Sequence, residues 1–210
     1  MNNGSKVSGH KEFWLKQVRN LIMPKKGFTF HVTLVLCIHR NMQVKMYRMI
    51  EALRKCPDPK IEVKIMEGDA LIARSRARGA QLFMDLTESD ILLFFDDDIQ
   101  ADTYEITRML WSMWNEKLDV VGAAYAKKSM QDKNFAVKLE EGDYLFGKDG
   151  KIVEAVYLST GCMAIRRRVF QKMIEKKIMP LTKNDNLIYR PFFNPWPYNE
   201  ISKEWFMPNV

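Results

Sequence analysis

The chain has 210 residues, of which 47% are hydrophobic and 28% are charged, and its formal net charge is +7. This composition is typical of a globular protein, and no apolar stretch approaches the length of a membrane span, which excludes a membrane-spanning protein. The positive charge suits nucleic acid, an anionic membrane or a phosphorylated substrate, and it does not choose among them.

We expect one domain over residues 1–210, with the alternative that the chain is the amino-terminal domain of a longer protein. The start, MNNGSKVSGHK, lacks the apolar run of a signal peptide, so secretion is not expected. The three cysteines, Cys37, Cys56 and Cys162, show no CxxC spacing, and we interpret them as reduced packing thiols.

Strand and helix patterns alternate along the first half of the chain. We expect residues 1–27 to form a helical extension, because Lys11–Met23 has apolar residues at helical spacing. The following elements are a strand at Phe30–Ile38, a helix at Val44–Lys55, a strand at Ile61–Met66, a helix at Ala70–Leu86 and a strand from Ile91. This β-α-β-α-β order predicts an α/β fold with parallel strands and right-handed crossovers.

The second half continues with shorter elements. They are a helix at Thr103–Lys117, a strand at Val120–Tyr125, a hairpin in the polar stretch up to Gly150, strands at Ile152–Leu158 and Cys162–Ile165, and a helix at Val169–Lys177. Residues 180–210 form an irregular segment that is rich in aromatic residues and proline.

The most informative stretch is Ile91–Gln100, which reads ILLFFDDDIQ. Its unbroken apolar run is typical of a strand covered on both faces of a parallel sheet. Carboxylates would then emerge at the carboxyl edge of the sheet, where open α/β sheets bind ligands. Three adjacent acids repel one another, so a divalent cation is expected, and Mg²⁺ or Mn²⁺ prefers oxygen ligands. The alternative is a solvated acidic turn that closes the strand.

Other nucleotide motifs fit less well. The chain has no GxGxxG motif, which counts against a Rossmann dinucleotide site. Gly142–Asp149, GDYLFGKD, matches the spacing of a P-loop, but Asp149 stands where Ser or Thr should bind magnesium, so a hairpin turn is the better interpretation. A phosphatase that forms an aspartyl-phosphate is also less similar, because Gln100 stands where its motif has Thr or Val.

Four segments in order resemble glycosyltransferases of the GT-A fold, in the family-2-like group of bacteria, phages and large DNA viruses. They are GDALIARSRARGAQLF, ILLFFDDDI, VVGAAYAKK and STGCMAIRRRVFQKM. The resemblance implies a central, mostly parallel mixed sheet flanked by helices. It also implies a metal-dependent hexosyl- or deoxyhexosyltransferase that moves a sugar from a nucleotide-diphosphate sugar, UDP-linked, to a glycan or glycoprotein acceptor. Its location would be the cytoplasm, or the host cytoplasm for a viral chain.

The resemblance assigns roles to the acidic and basic residues. Asp96 would face the ribose, Asp98 would reach a Mn²⁺ or Mg²⁺ ion to which Asp96 also contributes, and Asp97 would border the nucleotide. Strand alternation puts Asp96 and Asp98 on one side and Asp97 on the other. Arg74 and Arg78 share one helical face, whereas Arg76 points elsewhere. The resemblance makes Arg74 and Arg78 nucleotide or diphosphate contacts, and a solvated basic face is the alternative. A separate possibility is that Asp69 caps this helix.

Further site residues follow from the same resemblance, each with a structural alternative. Cys37, His39 and Arg40 would border the base and ribose, and Lys127 would meet phosphate unless it lies in an exposed turn. Thr160 and Gly161 would line the sugar and acceptor region, or form a β-bulge. The acceptor-side segment 180–210 offers Trp196 and Tyr198, whose rings can stack on a sugar. Residues Arg166–Arg168 are interpreted as a solvated helix start.

The resemblance also points to a catalytic base for an inverting reaction. The family's base lies in a stretch to which Ser202–Met207, SKEWFM, corresponds, and this places Glu204 on the base position. The alternatives are a surface glutamate near the chain end and a retaining glycosyltransferase. A different class of function is a nucleic-acid-binding module that uses the basic charge and the aromatic tail. The three aspartates argue against it, so no nucleic acid is expected.

Overall fold

A computed structural model describes residues 29–38, 42–69, 71–126, 135–140, 152–179, 181–184, 187–193, 198–199 and 204–205. The helix expected at Lys11–Met23 and the turn expected at Gly142–Asp149 lie outside the described residues. None of the helices within the described ranges combines the length and the apolar character needed to cross a bilayer.

Helices and strands alternate through most of the described chain. The helices are α1 (Val44–Arg54), α2 (Ile72–Leu86), α3 (Thr103–Asn115) and α4 (Arg167–Glu175). The strands are β1 (His31–Ile38), β2 (Lys60–Glu67), β3 (Ile91–Asp96), β4 (Val120–Gly122), β5 (Val137–Leu139), β6 (Ala155–Leu158), β7 (Cys162–Arg166), β8 (Thr182–Asn184), β9 (Leu187–Tyr189), β10 (Tyr198–Asn199) and β11 (Glu204–Trp205).

The central sheet has the strand order β2-β1-β3-β7-β4. Strand β1 pairs in parallel with β2 and β3, whereas β7 runs antiparallel to both β3 and β4. The protein is therefore an α/β protein with a central mixed sheet, and the expected parallel β-α-β-α-β unit is confirmed. Three small antiparallel pairs, β5-β6, β8-β9 and β10-β11, lie outside this sheet. The described parts of residues 180–210 thus contain short strands, where the sequence predicted an irregular segment.

Helices cover both faces of the sheet, and strand alternation assigns each strand residue to one of them. Val32, Leu34 and Leu36 of β1 pack in one core with residues of α1 and α3. Val35 and Cys37 pack in a second core with residues of α2 and α4. The buried residues of α1 are Met46, Met49, Ile50 and Leu53. The two crossovers leave β1 and β2 in opposite directions, which places α1 and α2 on opposite faces.

Arg167 closes the carboxyl end of α2. Its guanidinium donates hydrogen bonds to the carbonyl oxygens of Phe83 (2.9 Å), Met84 (3.2 Å), Thr87 (2.8 Å) and Ser89 (2.7 Å). It also lies 4.2 Å from the centre of the Phe83 ring. The last carbonyl groups of a helix lack hydrogen-bond partners within the helix, and a positive charge at this end also interacts favourably with the helix dipole. Arg167 therefore stabilises the carboxyl end of α2.

Arg166 has the same role for α3. It donates to the carbonyl oxygens of Leu118 (2.7 Å), Met113 (3.0 Å) and Trp114 (3.0 Å). Only Arg168 is exposed, where it pairs with Asp119. The expectation of a solvated helix start is therefore wrong for Arg166 and Arg167, because their side chains turn away from α4 to reach the carbonyls of two other helices.

Candidate functional site

The candidate site lies at the carboxyl edge of the parallel strands. From β1 the chain first reaches β2 on one side and later returns to β3 on the other side. Such a reversal of strand order opens a crevice beyond the carboxyl ends of the two strands, and open α/β sheets bind ligands there. Cys37 of β1 and Asp96 of β3 are register partners at this edge.

The antiparallel strands contribute to the same edge. Phe95 lies opposite Cys162, so the residues that precede β7 sit beside the end of β3. The backbone N–H of Asp96 donates to the carbonyl oxygen of Gly161 at 2.8 Å. The sheet therefore brings Gly161 next to Asp96, and the roles of Thr160 and Gly161 in a sugar and acceptor region stay predictions.

Asp96 forms an ion pair with Arg76 of α2. Leu92 and Phe94 lie in the core that α2 covers, and Asp96 follows them on the same face of β3. One terminal nitrogen of Arg76 lies 2.7 Å and 2.8 Å from the two carboxylate oxygens of Asp96. The exposed side-chain fractions are 12% for Arg76 and 25% for Asp96. Arg76 thus points elsewhere than Arg74 and Arg78, as expected, and it meets an acidic residue that the sequence reasoning did not pair with it.

Asp97 and Asp98 occupy a turn rather than the strand. Strand β3 ends at Asp96, whose carbonyl oxygen accepts a hydrogen bond from the N–H of Ile99 at 3.2 Å. Strand alternation consequently stops at Asp96 and cannot assign the sides of the next two residues, contrary to the expectation. Asp98 is exposed and Asp97 is half-buried. The turn therefore presents an acidic surface beside the crevice.

Arg74 and Arg78 lie on one face of α2, as predicted, and both reach Asp69. The Asp69 carboxylate accepts from Arg74 Nε (2.8 Å) and from its terminal nitrogen (2.9 Å), and an Arg78 nitrogen lies 3.8 Å away. Asp69 also accepts from the N–H of Leu71 at 3.0 Å, which satisfies a donor at the start of α2. The hydrogen bonds from Arg74 lower the pKa of Asp69. A contact of Arg74 and Arg78 with a nucleotide-sugar donor stays a prediction.

Cys37 lies beneath the crevice. Its side chain is only 5% exposed and belongs to the core beside α2. Burial raises the pKa of the Cys37 thiol, although hydrogen bonding with Ser75 and the charge of Arg76 act in the opposite direction. Cys162 is 2% exposed, and burial raises its pKa to about 12. Both residues are therefore packing thiols at neutral pH, and a nucleotide contact of Cys37 stays a prediction.

Tyr125 is a member of this edge that the sequence did not single out. Its hydroxyl lies 2.5 Å from Ser159 Oγ and accepts from the N–H of Gly161 at 3.1 Å. A Cβ on Gly161 would collide with this hydroxyl and lie 2.7 Å from Tyr125 Cζ and from Ile99 Cδ1. Thr160 and Gly161 form the turn before β7, so the alternative of a β-bulge does not describe them.

Several predicted site residues receive little or no structural description. His39, Arg40, Lys127 and Trp196 lie outside the described residues. For Glu204 and Tyr198 the backbone is described, and β10 and β11 place Glu204 opposite Asn199 and Tyr198 opposite Trp205. Their roles as base and stacking residue stay predictions.

A separate pocket of about 430 Å³ lies at the opposite edge of the sheet, beside the start of β1. Its lining includes the cations Arg54 and Lys60 and the anions Glu62 and Glu88. These opposite charges give no single-sign surface for a diphosphate, and ligands of open α/β sheets bind at the carboxyl edge. The carboxyl edge of β1 and β3, with its acidic turn, is therefore the stronger candidate for the functional site.

No protein-family model and no curated protein sequence match this chain. Among solved structures, the chain is similar to protein A197 from STIV, with a TM-score of 0.50 and 18% sequence identity over 68% of each chain. At this identity the likeness concerns the fold alone, and it is consistent with the central mixed sheet flanked by helices.

Proposed function

We propose that the protein is a metal-dependent glycosyltransferase of the GT-A fold. It would transfer a sugar from a nucleotide-diphosphate sugar, UDP-linked, to a hydroxyl of a glycan. The observation that carries the proposal is the position of Asp96–Asp98 at the carboxyl edge, beside the crevice between β1 and β3. The order of the four resembling segments along this sheet supports it.

The acidic residues suit a hard divalent cation. In the described part of the chain, no group of three or more His, Cys, Asp or Glu side chains forms a complete metal site. The exposed carboxylate of Asp98 and the quarter-exposed carboxylate of Asp96 still offer the oxygen ligands that Mn²⁺ and Mg²⁺ prefer. When bound, the cation would stabilise the negative charge of the departing diphosphate.

The basic residues of α2 would hold the diphosphate of the donor. Arg74 and Arg78 present two guanidinium groups against the single carboxylate of Asp69. Their side chains are 33% and 36% exposed, so both can also donate to phosphate oxygens. Asp69 would then orient the two arginines, and Lys127 would add a further cation.

Glu204 would act as the general base. The acceptor hydroxyl would attack the anomeric carbon from the face opposite the diphosphate, its proton would pass to the Glu204 carboxylate, and the nucleoside diphosphate would leave. Glu204→Gln should bind donor and metal normally and lose transfer by at least ~100-fold. Near-normal transfer by this variant, or a product with retained anomeric configuration, would contradict the assignment.

Asp98→Asn tests the proposed function most directly, because the substitution preserves size and removes the charge of the metal ligand. We expect the variant to melt like the wild type and to lose Mn²⁺-dependent binding and hydrolysis of nucleotide-sugars. Asp85→Asn is the matched control, since Asp85 is exposed on α2 and hydrogen-bonds with Gln81. Normal turnover of Asp98→Asn at saturating Mn²⁺ would refute the metal site, and salt-sensitive oligonucleotide binding without any nucleotide-sugar effect would favour the other class.

A further inference from the structure

The ion pair between Arg76 and Asp96 fixes one carboxylate of the acidic turn. A single terminal nitrogen of Arg76 contacts both Asp96 oxygens, at 2.7 Å and 2.8 Å. Arg76 is 12% exposed and extends from α2, so its position is set by the packing of this helix on the sheet. The positive charge in contact with Asp96 is therefore the Arg76 guanidinium, which the fold itself holds in place.

Stability alone does not account for this arrangement. Arg76 Nε is buried and has no hydrogen-bond acceptor among the described residues, and an unmade bond at a buried donor is destabilising. A largely buried ion pair is also weak evidence for stability, because both charges lose solvation. The Arg76 guanidinium thus leaves one N–H group without a hydrogen bond and directs another to Asp96. This arrangement suggests a role at the crevice.

A guanidinium at this position opposes the binding of a divalent cation to Asp96. It repels the cation, and it uses lone pairs on both carboxylate oxygens. Arg76 contacts Asp96, whereas Asp98 lies in the exposed turn. A donor diphosphate would bring negative charge and further oxygen ligands, which offset the repulsion.

We propose that Arg76 is a positioning residue that withholds Asp96 from the divalent cation until the diphosphate arrives. The nucleotide-free protein then binds Mn²⁺ weakly through Asp98, and metal and nucleotide bind with strong mutual dependence. This inference rests on the proposed function, since it assumes that a nucleoside diphosphate occupies the crevice.

The test measures Mn²⁺ affinity from the electron paramagnetic resonance signal of free Mn²⁺, with and without UDP. Without UDP, Arg76→Gln should bind Mn²⁺ at least ~10-fold more tightly than the wild type, because one repelling charge is removed. Arg76→Lys retains the charge and should stay within about threefold of the wild type. Arg54→Gln is the control for the loss of one positive charge, and it should change the affinity little because Arg54 pairs with Glu51 and lines the pocket at the opposite edge of the sheet.

A second variant, Arg76→Gln combined with Asp96→Asn, removes both charges of the pair and should return the Mn²⁺ affinity to near the wild-type value. Arg76→Ala provides another charge-free variant if the glutamine variant does not fold. No gain in nucleotide-free affinity for a folded charge-free variant, or an equal gain in Arg54→Gln, overturns the inference.

The role of UDP separates the inference from the proposed function. A UDP effect on Mn²⁺ affinity that is equal in the wild type and in Arg76→Gln overturns the inference and leaves the proposed function standing. The absence of any such effect in both proteins, with UDP and other nucleoside diphosphates, overturns the proposed function. A smaller UDP effect in Arg76→Gln than in the wild type supports both.

Discussion

Gly161→Ala should be the most damaging small substitution at the carboxyl edge. The added methyl group would collide with the Tyr125 hydroxyl and lie 2.7 Å from Ile99 Cδ1, so Tyr125 and Ile99 both have to move. A displaced Tyr125 loses its contacts with Ser159 Oγ (2.5 Å) and with the Gly161 N–H (3.1 Å). The same backbone segment accepts the hydrogen bond from the Asp96 N–H, so the displacement reaches the acidic turn.

The magnitude follows from these contacts. Overpacking costs about 1–3 kcal/mol, and each lost hydrogen bond costs about 0.5–1.5 kcal/mol. Tyr125 is half-buried and can shift toward solvent, which favours the lower half of the combined range. We therefore expect Gly161→Ala to lower the free energy of unfolding by about 2–4 kcal/mol. For a urea m-value near 2 kcal/mol/M, the unfolding midpoint falls by roughly 1–2 M.

Urea unfolding followed by circular dichroism measures this loss. Gly122→Ala is the control on β4, because a Cβ there meets its nearest atom, the carbonyl oxygen of Cys162, at 3.3 Å, which is a much milder contact than the one at Gly161. In a Tyr125→Ala background the cost of Gly161→Ala should shrink, since the clash with the ring is absent and only the contact with Ile99 Cδ1 remains. Equal costs for Gly161→Ala and Gly122→Ala, or no rescue by Tyr125→Ala, would refute the packing argument.

Three other predictions concern the fold around the site. Arg167→Leu should lower the free energy of unfolding by about 2–4 kcal/mol, because carbonyl oxygens at the end of α2 lose their donor, whereas Arg168→Leu should cost less than about 1 kcal/mol. The pKa of Asp69 is lowered in the folded state, so its charged form adds stability above its ordinary pKa, and this stability is lost as pH falls through the folded pKa. Urea unfolding should therefore show a larger difference between wild type and Asp69→Asn at pH 7 than at pH 3. Iodoacetamide at pH 8 should label the half-buried Cys56 before Cys162, whose pKa is raised to about 12 by burial, as mass spectrometry of the intact protein would show.

The first half of the fold was predictable because its signals are local. The apolar run of β1, the helical spacing of α1 and the acidic end of β3 each lie within a short stretch of sequence, and all three elements occur within one or two residues of the predicted bounds. Element ends that depend on distant partners were not predictable. Strand β4 was expected to reach Tyr125 but ends at Gly122, because the Tyr125 carbonyl pairs instead with the N–H of Ala136.

The role of Arg76 was missed although the sequence contains a signal for it. Spacing within α2 showed that Arg74 and Arg78 share a face, but it did not show what the remaining arginine meets. Ala80 and Phe83 are fully buried, and Arg76 precedes them by four and seven residues. Arg76 therefore lies at the amino-terminal end of the buried face of α2. Asp96 lies on the sheet face that this helix face covers, and combining the two periodicities would have paired the residues.

The net charge of the chain is a poor guide to its partner, because several of the described arginines bind groups of the protein itself. Arg166 and Arg167 donate to helix carbonyls, and Arg76 meets Asp96. A nucleic-acid backbone needs several cations turned toward solvent along an extended surface. At the candidate site, Arg74 and Arg78 combine substantial exposure with a position on α2, at the same edge as the acidic turn. Under the proposed function, these two guanidinium groups would hold the diphosphate of the donor, whereas the acidic turn would repel a long polyanion.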